Sequence, residues 1–324
     1  MEIIGGKSRW ELVIRRESQH IVLLRAATPD EKAVLPDELF GLPVTVLGDH
    51  ALTPGAAPVP GEVVRITRGS DWGKADSRSL RDLKLPCGLQ TVGDYAFYNC
   101  SALQTLRLHD EIRQWGGGAL MNCAALNRFF LTRTADRQGP SLAFFADELQ
   151  GELDVSITRQ SGERLRLIFP DFVESYEENG PAHHFDYKIY GAGHPYHHLF
   201  RQRQLLLRDY DGLWATYLRE EYDPGAALRL AWYRLRYPVE LSREAEAQYW
   251  DYLATCTPEA MLFLLDERDT EGLGLLLERL HPGEELLRQA AEQARTAAYP
   301  EAMALLLQKQ QSEKPRGFAK TFDI

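Results

Sequence analysis

A repeat of 23 residues in the first half of the chain constrains the fold more than any other feature. The segment GDYAFYNCSALQTLRL begins at Gly93, and GGALMNCAALNRFFL returns to the same order of residues from Gly117. Cys100 and Cys123 stand at equivalent positions of the two copies. A third copy of the frame, VTVLGDHAL, begins at Val44, close to two periods earlier. One such unit cannot bury its own apolar face, so the copies are expected to stack.

Each copy ends in a short alternating run, which predicts a strand with one buried face. The apolar pairs are Leu83/Leu85, Leu106/Leu108 and Phe129/Leu131. A period of 20–29 residues with this pattern is the signature of a leucine-rich repeat solenoid. Val64/Ile66 and Leu153/Val155 are interpreted as strands that extend the ladder at its two ends. Glycines at 48, 93 and 116 are interpreted as turn positions that need backbone freedom.

The segment LPDELFGLPVTVLGDHAL, followed by the AFYNC unit, resembles the BspA-like leucine-rich repeat family. In that family an N-terminal hairpin leads through a GxPVTxIGxxAF segment into the array. Here SRWELVIRRESQHIVLLRA, from Ser8 to Ala26, is similar to the hairpin, and the resemblance runs roughly from Trp10 to Ile157. It implies a scaffold for protein interaction. The surface roles of longer, secreted members are not expected, since this chain has few coils and begins without a secretory signal.

These patterns predict an α+β chain, a short solenoid with an N-terminal β-hairpin cap followed by a small all-α domain. We expect the capped solenoid over 1–158, an aromatic and histidine-rich connecting segment over 159–201, a helical domain over 202–312 and a polar tail over 313–324. Three tail segments, PEAMLFLLDE, TEGLGLLLER and PEAMALLLQK, place Leu and Met on one helix face. They resemble degenerate ankyrin-like repeats.

Composition limits the possible partners and the compartment. The formal net charge of −10 argues against general nucleic-acid binding, although the part from Gly61 to Pro140 carries 11 Lys/Arg against 8 Asp/Glu. No stretch approaches the ~18 apolar residues of a membrane-spanning helix, so no membrane partner is expected. Four cysteines are too few for a disulfide framework in 324 residues. The sequence therefore predicts a cytoplasmic protein with reduced thiols.

A cluster of histidines offers the strongest alternative to a purely structural second half. Gly193 and Pro195 oppose a regular helix within the cluster, and no recognised metal motif is complete. Two interpretations stay open: a metal-binding sensor or enzyme, or aromatic packing and interdomain hydrogen bonding. The histidines concerned are His183, His184, His194, His197 and His198.

No motif in the sequence supports catalysis. WGGGAL, from Trp115, lacks the lysine and hydroxyl residue of a phosphate loop, and no Ser-His-Asp pattern is present. Cys100 and Cys123 are predicted to be neighbours on stacked coils, either as a nucleophile or metal-binding pair or as small buried hydrophobes. We therefore predict a non-enzymatic chain without a cofactor.

The residue between the two buried positions of each strand points outward. This column is predicted to contain Arg65, Lys84, Arg107, Phe130 and Asp154, and the flanking column Asp82, Thr105 and Arg128. Cations beside an aromatic ring suit an acidic or mixed protein surface. The predicted partner-binding residues are Arg65, Lys84, Arg107, Arg128 and Phe130. The alternatives are a simply solvated face and a self-assembling structural protein.

Overall fold

The computed structural model describes residues 2–4, 7–67, 75–133, 139–179 and 184–313, with the side chains of 2–4, 177–179, 184–185 and 312–313 excepted. Contacts divide the chain into two compact units, Met1–Ser242 and Arg243–Ile324, which are described separately. The finer boundaries at 158 and 201 stay predictions. No helix among the described residues is both long and apolar enough to cross a membrane.

The strands of the described segments all lie in the first unit. They are β1 (Glu2–Ile4), β2 (Trp10–Arg16), β3 (Ile21–Ala27), β4 (Lys32–Val34), β5 (Glu38–Leu39), β6 (Leu42–Leu47), β7 (Glu62–Thr67), β8 (Asp82–Lys84), β9 (Thr91–Val92), β10 (Thr105–His109), β11 (Gln114–Trp115), β12 (Arg128–Thr132), β13 (Leu153–Thr158), β14 (Arg164–Phe169), β15 (Val173–Asn179) and β16 (His184–Tyr190).

The helices follow from the end of the repeats onward. They are α1 (Ser141–Glu148), α2 (His194–His197), α3 (Leu207–Gly212), α4 (Trp214–Tyr217), α5 (Pro224–Arg236), α6 (Arg243–Thr255), α7 (Thr257–Asp266), α8 (Thr270–Leu280), α9 (Glu284–Thr296) and α10 (Pro300–Glu313). The predicted fold class, a capped solenoid followed by a helical region, is confirmed.

The predicted N-terminal hairpin is formed by β2 and β3, which pair antiparallel from Glu11↔Ala27 to Arg16↔Ile21. The alternation in β2 places Trp10, Leu12 and Ile14 in the core, where all three are fully buried. Together with strands from the coils, the hairpin forms one sheet in the order β1-β7-β2-β3-β6-β9-β11. The hairpin thus covers the apolar end of the repeat array.

The second sheet is the ladder that the alternating runs predicted, in the order β14-β13-β12-β10-β8-β4. Leu83, Leu106, Phe129 and Val155 share one buried column, because β8, β10, β12 and β13 are parallel and in register. The strand with Leu153/Val155 extends this ladder as predicted. Antiparallel β14 ends the ladder on that side.

The prediction that Val64/Ile66 extend the same ladder is wrong. β7 pairs with β1 and β2 in the other sheet, and β4 takes the place beside β8. The reason is that β7 lies antiparallel to the hairpin strand β2, whose buried side chains match its own. Alternation shows that a strand has one buried face, and it does not show which sheet the strand joins.

The turns between coils are held by a repeated carboxylate contact. Asp49 Oδ1 accepts a hydrogen bond from the Asp94 amide at 2.9 Å, and Asp94 Oδ1 accepts one from the Gly117 amide at 2.8 Å. His50, Tyr95 and Gly118 stand at one coil position, and all three have positive φ. The backbone conformation that recurs in each turn is therefore found two residues after the first glycine of each copy.

Gly93 and Gly116 serve a purpose different from the predicted one. Neither has a positive φ, so backbone freedom is not what they supply. A Cβ on Gly93 would lie 2.6 Å from the backbone nitrogen of Asp49, and one on Gly116 would overlap the backbone of Asp94. Glycine is needed here because successive coils approach too closely for any side chain.

The second unit consists of α6–α10. Helix α7 packs on α8 and α9, and α10 packs on the same two helices. The apolar faces predicted for the three tail segments are buried, including Met261, Leu264, Leu273 and Leu306. Asp269 caps α8 by accepting a hydrogen bond from the Gly272 amide at 2.8 Å. The ankyrin-like character of these helices stays a prediction.

Candidate functional site

The outward side chains of the parallel ladder form the first candidate site. Lys84, Arg107 and Phe130 lie side by side on β8, β10 and β12, as predicted. Arg128 lies in the next column of β12, in register with Thr105 and Asp82. We call the four residues Lys84, Arg107, Arg128 and Phe130 the strand face.

Two predicted members of the outward column lie elsewhere. Ser156, not Asp154, is the neighbour of Phe130, and Asp154 pairs with Arg128 in the flanking column. Arg65 lies on β7 in the other sheet, where Glu11 Oε2 accepts a hydrogen bond from its Nε at 3.0 Å. The prediction that Arg65 shares a surface column with Lys84 and Arg107 is therefore wrong.

Arg107 is held on two sides. Its Nε lies 2.9 Å from Asp82 Oδ1 and its Nη2 lies 2.9 Å from Asp82 Oδ2, which is a bidentate pair. The guanidinium also lies over the Phe130 ring, 4.0 Å from its centroid. The result is a preorganised planar group whose charge is largely balanced by Asp82.

The other two cations of the strand face lie on its flanks, and the Asp37 carboxylate is close enough to Lys84 to interact with it electrostatically. Neither Lys84 nor Arg128 forms an ion pair with any residue in the described ranges. Lys84 is half-buried and Arg128 is exposed. The face therefore presents a flat Arg–Phe centre with one cation on each side.

The same arrangement recurs at the end of the ladder, where it is covered. Arg166 on β14 forms a bidentate pair with Asp154, with Nε–Oδ1 at 2.8 Å, and its guanidinium lies 3.8 Å from the centroid of the Tyr233 ring. Tyr233 belongs to α5, which packs on β14. At Arg166 the aromatic ring comes from a helix that packs over the sheet. The Arg107 side chain, whose aromatic neighbour lies in the sheet itself, is 41% exposed.

The histidine-rich segment forms a second cluster. Helix α2 begins at His194 despite Gly193 and Pro195, because proline at the first turn removes an amide that has no helical partner anyway. Helix α2 is a single turn of four residues that ends at His197. The rings of His194 and His198 stack with their centroids 4.0 Å apart.

His197, the third histidine of this segment whose side chain is described, does not join this pair. His197 is buried, with Nδ1 3.0 Å from the Ala146 carbonyl and Nε2 2.9 Å from the Pro170 carbonyl. Both ring nitrogens of His197 thus contact backbone carbonyls. This arrangement fits the interpretation that the histidine packs in the interior and forms hydrogen bonds there. His183 and the side chain of His184 lie outside the described part of the chain.

The residue that sequence reasoning missed is Glu174 on β15. One of its oxygens, Oε1, lies 3.7 Å from His194 Nε2. Glu174, His194 and His198 bring their ligand atoms within 4.8 Å of one another. No sequence signal pointed to Glu174, since it precedes His194 by 20 positions and strand β16 lies between them.

The two repeat cysteines are neighbours in the ladder interior, as predicted. Cys100 Sγ donates to the Leu52 carbonyl at 3.4 Å, and Cys123 Sγ donates to the Phe97 carbonyl at 3.1 Å. Burial raises the pKa of the Cys100 thiol well above its usual range and raises the pKa of Cys123 to about 12. Both thiols are therefore protonated and unreactive at neutral pH.

We expect the thiols to react in two classes. Cys87 and Cys256 are half-buried, whereas Cys100 and Cys123 are buried. Titration with 5,5′-dithiobis(2-nitrobenzoate) should modify two thiols in the native protein and all four in denaturant. Rapid reaction of four thiols in the native protein would contradict the interior placement of Cys100 and Cys123.

Comparison with known proteins identifies the repeats. Residues 75–150 match the profile of the BspA type leucine rich repeat region in 6 copies, which confirms the resemblance drawn from the AFYNC unit. No curated protein sequence is significantly similar to the chain.

Two solved structures are similar to part of the chain. One is the leucine rich repeat protein of T. pallidum, with 19% identity and a TM-score of 0.29. That match covers 39% of this chain and 52% of the other. The second is a leucine rich cell surface protein from Faecalibacterium prausnitzii A2-165, with 15% identity and a TM-score of 0.27, covering 40% of this chain and 31% of the other. The chain therefore spans about half or less of the length of these proteins.

Proposed function

We propose that this chain is a non-enzymatic interaction module that binds a protein partner through the strand face. The supporting observation is the fixed Arg107 guanidinium, held by Asp82 and stacked on Phe130 while it stays 41% exposed. A side chain that is ordered before binding loses little conformational entropy when a partner covers it. Arginine and aromatic residues are also the side chains most often found at energetic centres of interfaces.

The charge distribution favours a particular kind of partner. Because Asp82 balances Arg107, the centre of the strand face suits an apolar or aromatic side chain stacked on the guanidinium plane. Lys84 and Arg128 can then pair with carboxylates at the rim, where charge governs association rate and specificity. The proposed partner is thus a protein surface with an apolar centre and acidic flanks.

We also propose that the chain works in the cytoplasm. The support is that Cys87, Cys100, Cys123 and Cys256 are all free thiols, a state typical of a reducing compartment. Fractionation of host cells would support this by recovering the chain with cytoplasmic proteins, and recovery at the cell surface would contradict it.

Affinity capture from the native host tests the strand face. The Arg107→Glu/Phe130→Ala variant removes the stacked pair and places a carboxylate beside Asp82. We expect its partner recovery to fall at least about 10-fold, because loss of an interface centre commonly costs 2 kcal/mol or more. Quantitative mass spectrometry of the captured proteins measures the change.

The matched control variant changes residues of the other sheet. Arg65→Glu/Val63→Ala breaks a similar exposed arginine–carboxylate pair, with Glu11, and removes an exposed apolar side chain. This variant should recover the partner like the wild type, and both variants should keep the thermal unfolding midpoint of the wild type within a few degrees. Equal recovery by the Arg107→Glu/Phe130→Ala variant and the wild type would overturn the proposal.

A further inference from the structure

Two separate elements place the residues of the histidine cluster. Glu174 lies near the start of β15, opposite Ile189 of β16. After β16 the chain turns at Gly191, which has a φ of +87°, and enters α2 at His194. Gly193 packs so tightly on the Pro170 and Asp171 carbonyls that a Cβ would overlap them. The start of α2 is therefore fixed beside the first residues of β15.

This packing brings three ligand-type side chains together. His194 Nε2 and Glu174 Oε1 are 3.7 Å apart, and the ligand atoms of Glu174, His194 and His198 all lie within 4.8 Å of one another. Ligand atoms about 2.0–2.2 Å from a tetrahedral zinc ion lie ~3.4 Å from each other. Side-chain rotations that shorten the distances between the ligand atoms by about 1.5 Å would thus complete such a site.

The remaining polar atoms of the cluster support this geometry. His198 Nδ1 lies 2.9 Å from the His194 carbonyl, and a carbonyl can only accept, so Nδ1 is the donor in this hydrogen bond. The Tyr187 hydroxyl donates to Glu174 Oε1 at 2.6 Å. Hydrogen bonds of this kind, from a ligand's second nitrogen to a carbonyl and from a donor to a ligand carboxylate, orient metal ligands in known sites.

The Phe172 ring packs against both imidazoles of the cluster. It forms T-shaped contacts with both rings, with centroid distances of 5.1 Å to His194 and 5.6 Å to His198.

We propose that Glu174, His194 and His198 bind one divalent transition-metal ion of the zinc class, which links the β15–β16 hairpin to α2. Two imidazoles and one carboxylate favour zinc and its neighbours over magnesium or calcium, which prefer oxygen ligands alone. Three protein ligands leave the fourth tetrahedral position for water or for a ligand from outside. This site is separate from the strand face, and neither proposal depends on the other.

Titration of the untagged full-length chain with zinc tests the site. After removal of metals with a chelator, isothermal titration calorimetry should show one equivalent of saturable zinc binding. Glu174→Gln and His198→Ala should each weaken binding at least about 100-fold, and Tyr187→Phe about 10-fold, the range found when a hydrogen bond to a ligand is removed. Bound Co²⁺ should give the visible absorption of a tetrahedral complex.

Control variants separate coordination from a folding defect. His20→Ala removes an imidazole at the β2–β3 turn and should bind zinc like the wild type. Glu174→Gln keeps the shape of the side chain, and its metal-free thermal unfolding should match that of the metal-free wild type. Absence of saturable binding to the wild type, or wild-type affinity in both Glu174→Gln and His198→Ala, would overturn the proposal.

Discussion

Replacing Arg234 with methionine is expected to lower the free energy of unfolding of the first unit by about 3–5 kcal/mol. Arg234 on α5 is fully buried, and its Nε and Nη2 each lie 2.8 Å from an oxygen of Asp211. Its Nη2 also donates to the Val239 carbonyl at 3.1 Å. Methionine fills similar space, but it removes the guanidinium that pairs with the buried Asp211 carboxylate. Urea denaturation followed by circular dichroism measures the loss.

A double variant distinguishes loss of the ion pair from loss of packing. Arg234→Met/Asp211→Leu removes both charges, and replacing a buried pair by apolar residues is often close to neutral. We therefore expect the double variant to be more stable than Arg234→Met alone. A loss below about 1 kcal/mol in Arg234→Met, within the range of an exposed ion pair, would contradict the importance of this pair.

Gly116→Ala is expected to destabilise the solenoid by about 3 kcal/mol, at the upper end of the cost of overpacking a core. The added Cβ would overlap backbone atoms of Gly93 and Asp94 in the preceding coil. Backbone atoms cannot rotate away as a side chain can, so the coils must separate. The same denaturation experiment measures the change.

The control for this substitution is the next residue. A Cβ on Gly117 would meet no atom within 4 Å, and Gly117 has no positive φ. Gly117→Ala should therefore leave the free energy of unfolding within about 0.5 kcal/mol of the wild type, as for most surface substitutions. Equal effects of Gly116→Ala and Gly117→Ala would contradict the close stacking of the coils.

The repeats could be predicted from the sequence because one alternating pattern recurs at a fixed spacing. Leu106 and Phe129 occupy equivalent positions 23 residues apart, so their pairing followed from stacking alone. The same spacing placed Lys84, Arg107 and Phe130 in one outward column. Where the period holds, sequence position translates directly into position in the ladder.

The errors occur where the period breaks. Arg65 lies between the first and second copies of the frame, where the period is interrupted, and nothing in its alternating strand specifies antiparallel pairing with β2. Asp154 follows α1, outside the 23-residue spacing, so its register with Arg128 could not be counted from the repeat. Glu174 reaches the histidines only through the β15–β16 hairpin and the turn at Gly191. Long-range pairing of this kind leaves no local pattern in the sequence.

Site-specific photocrosslinking tests the central proposal, partner binding through the strand face, most directly. One variant carries a photoreactive phenylalanine analogue at position 130, in place of Phe130. A second variant carries it at position 95, in place of Tyr95, which is 39% exposed on the outer turn. The strand-face proposal predicts that the protein captured by the wild type crosslinks to position 130 and not to position 95. Crosslinking at position 95 alone would contradict it.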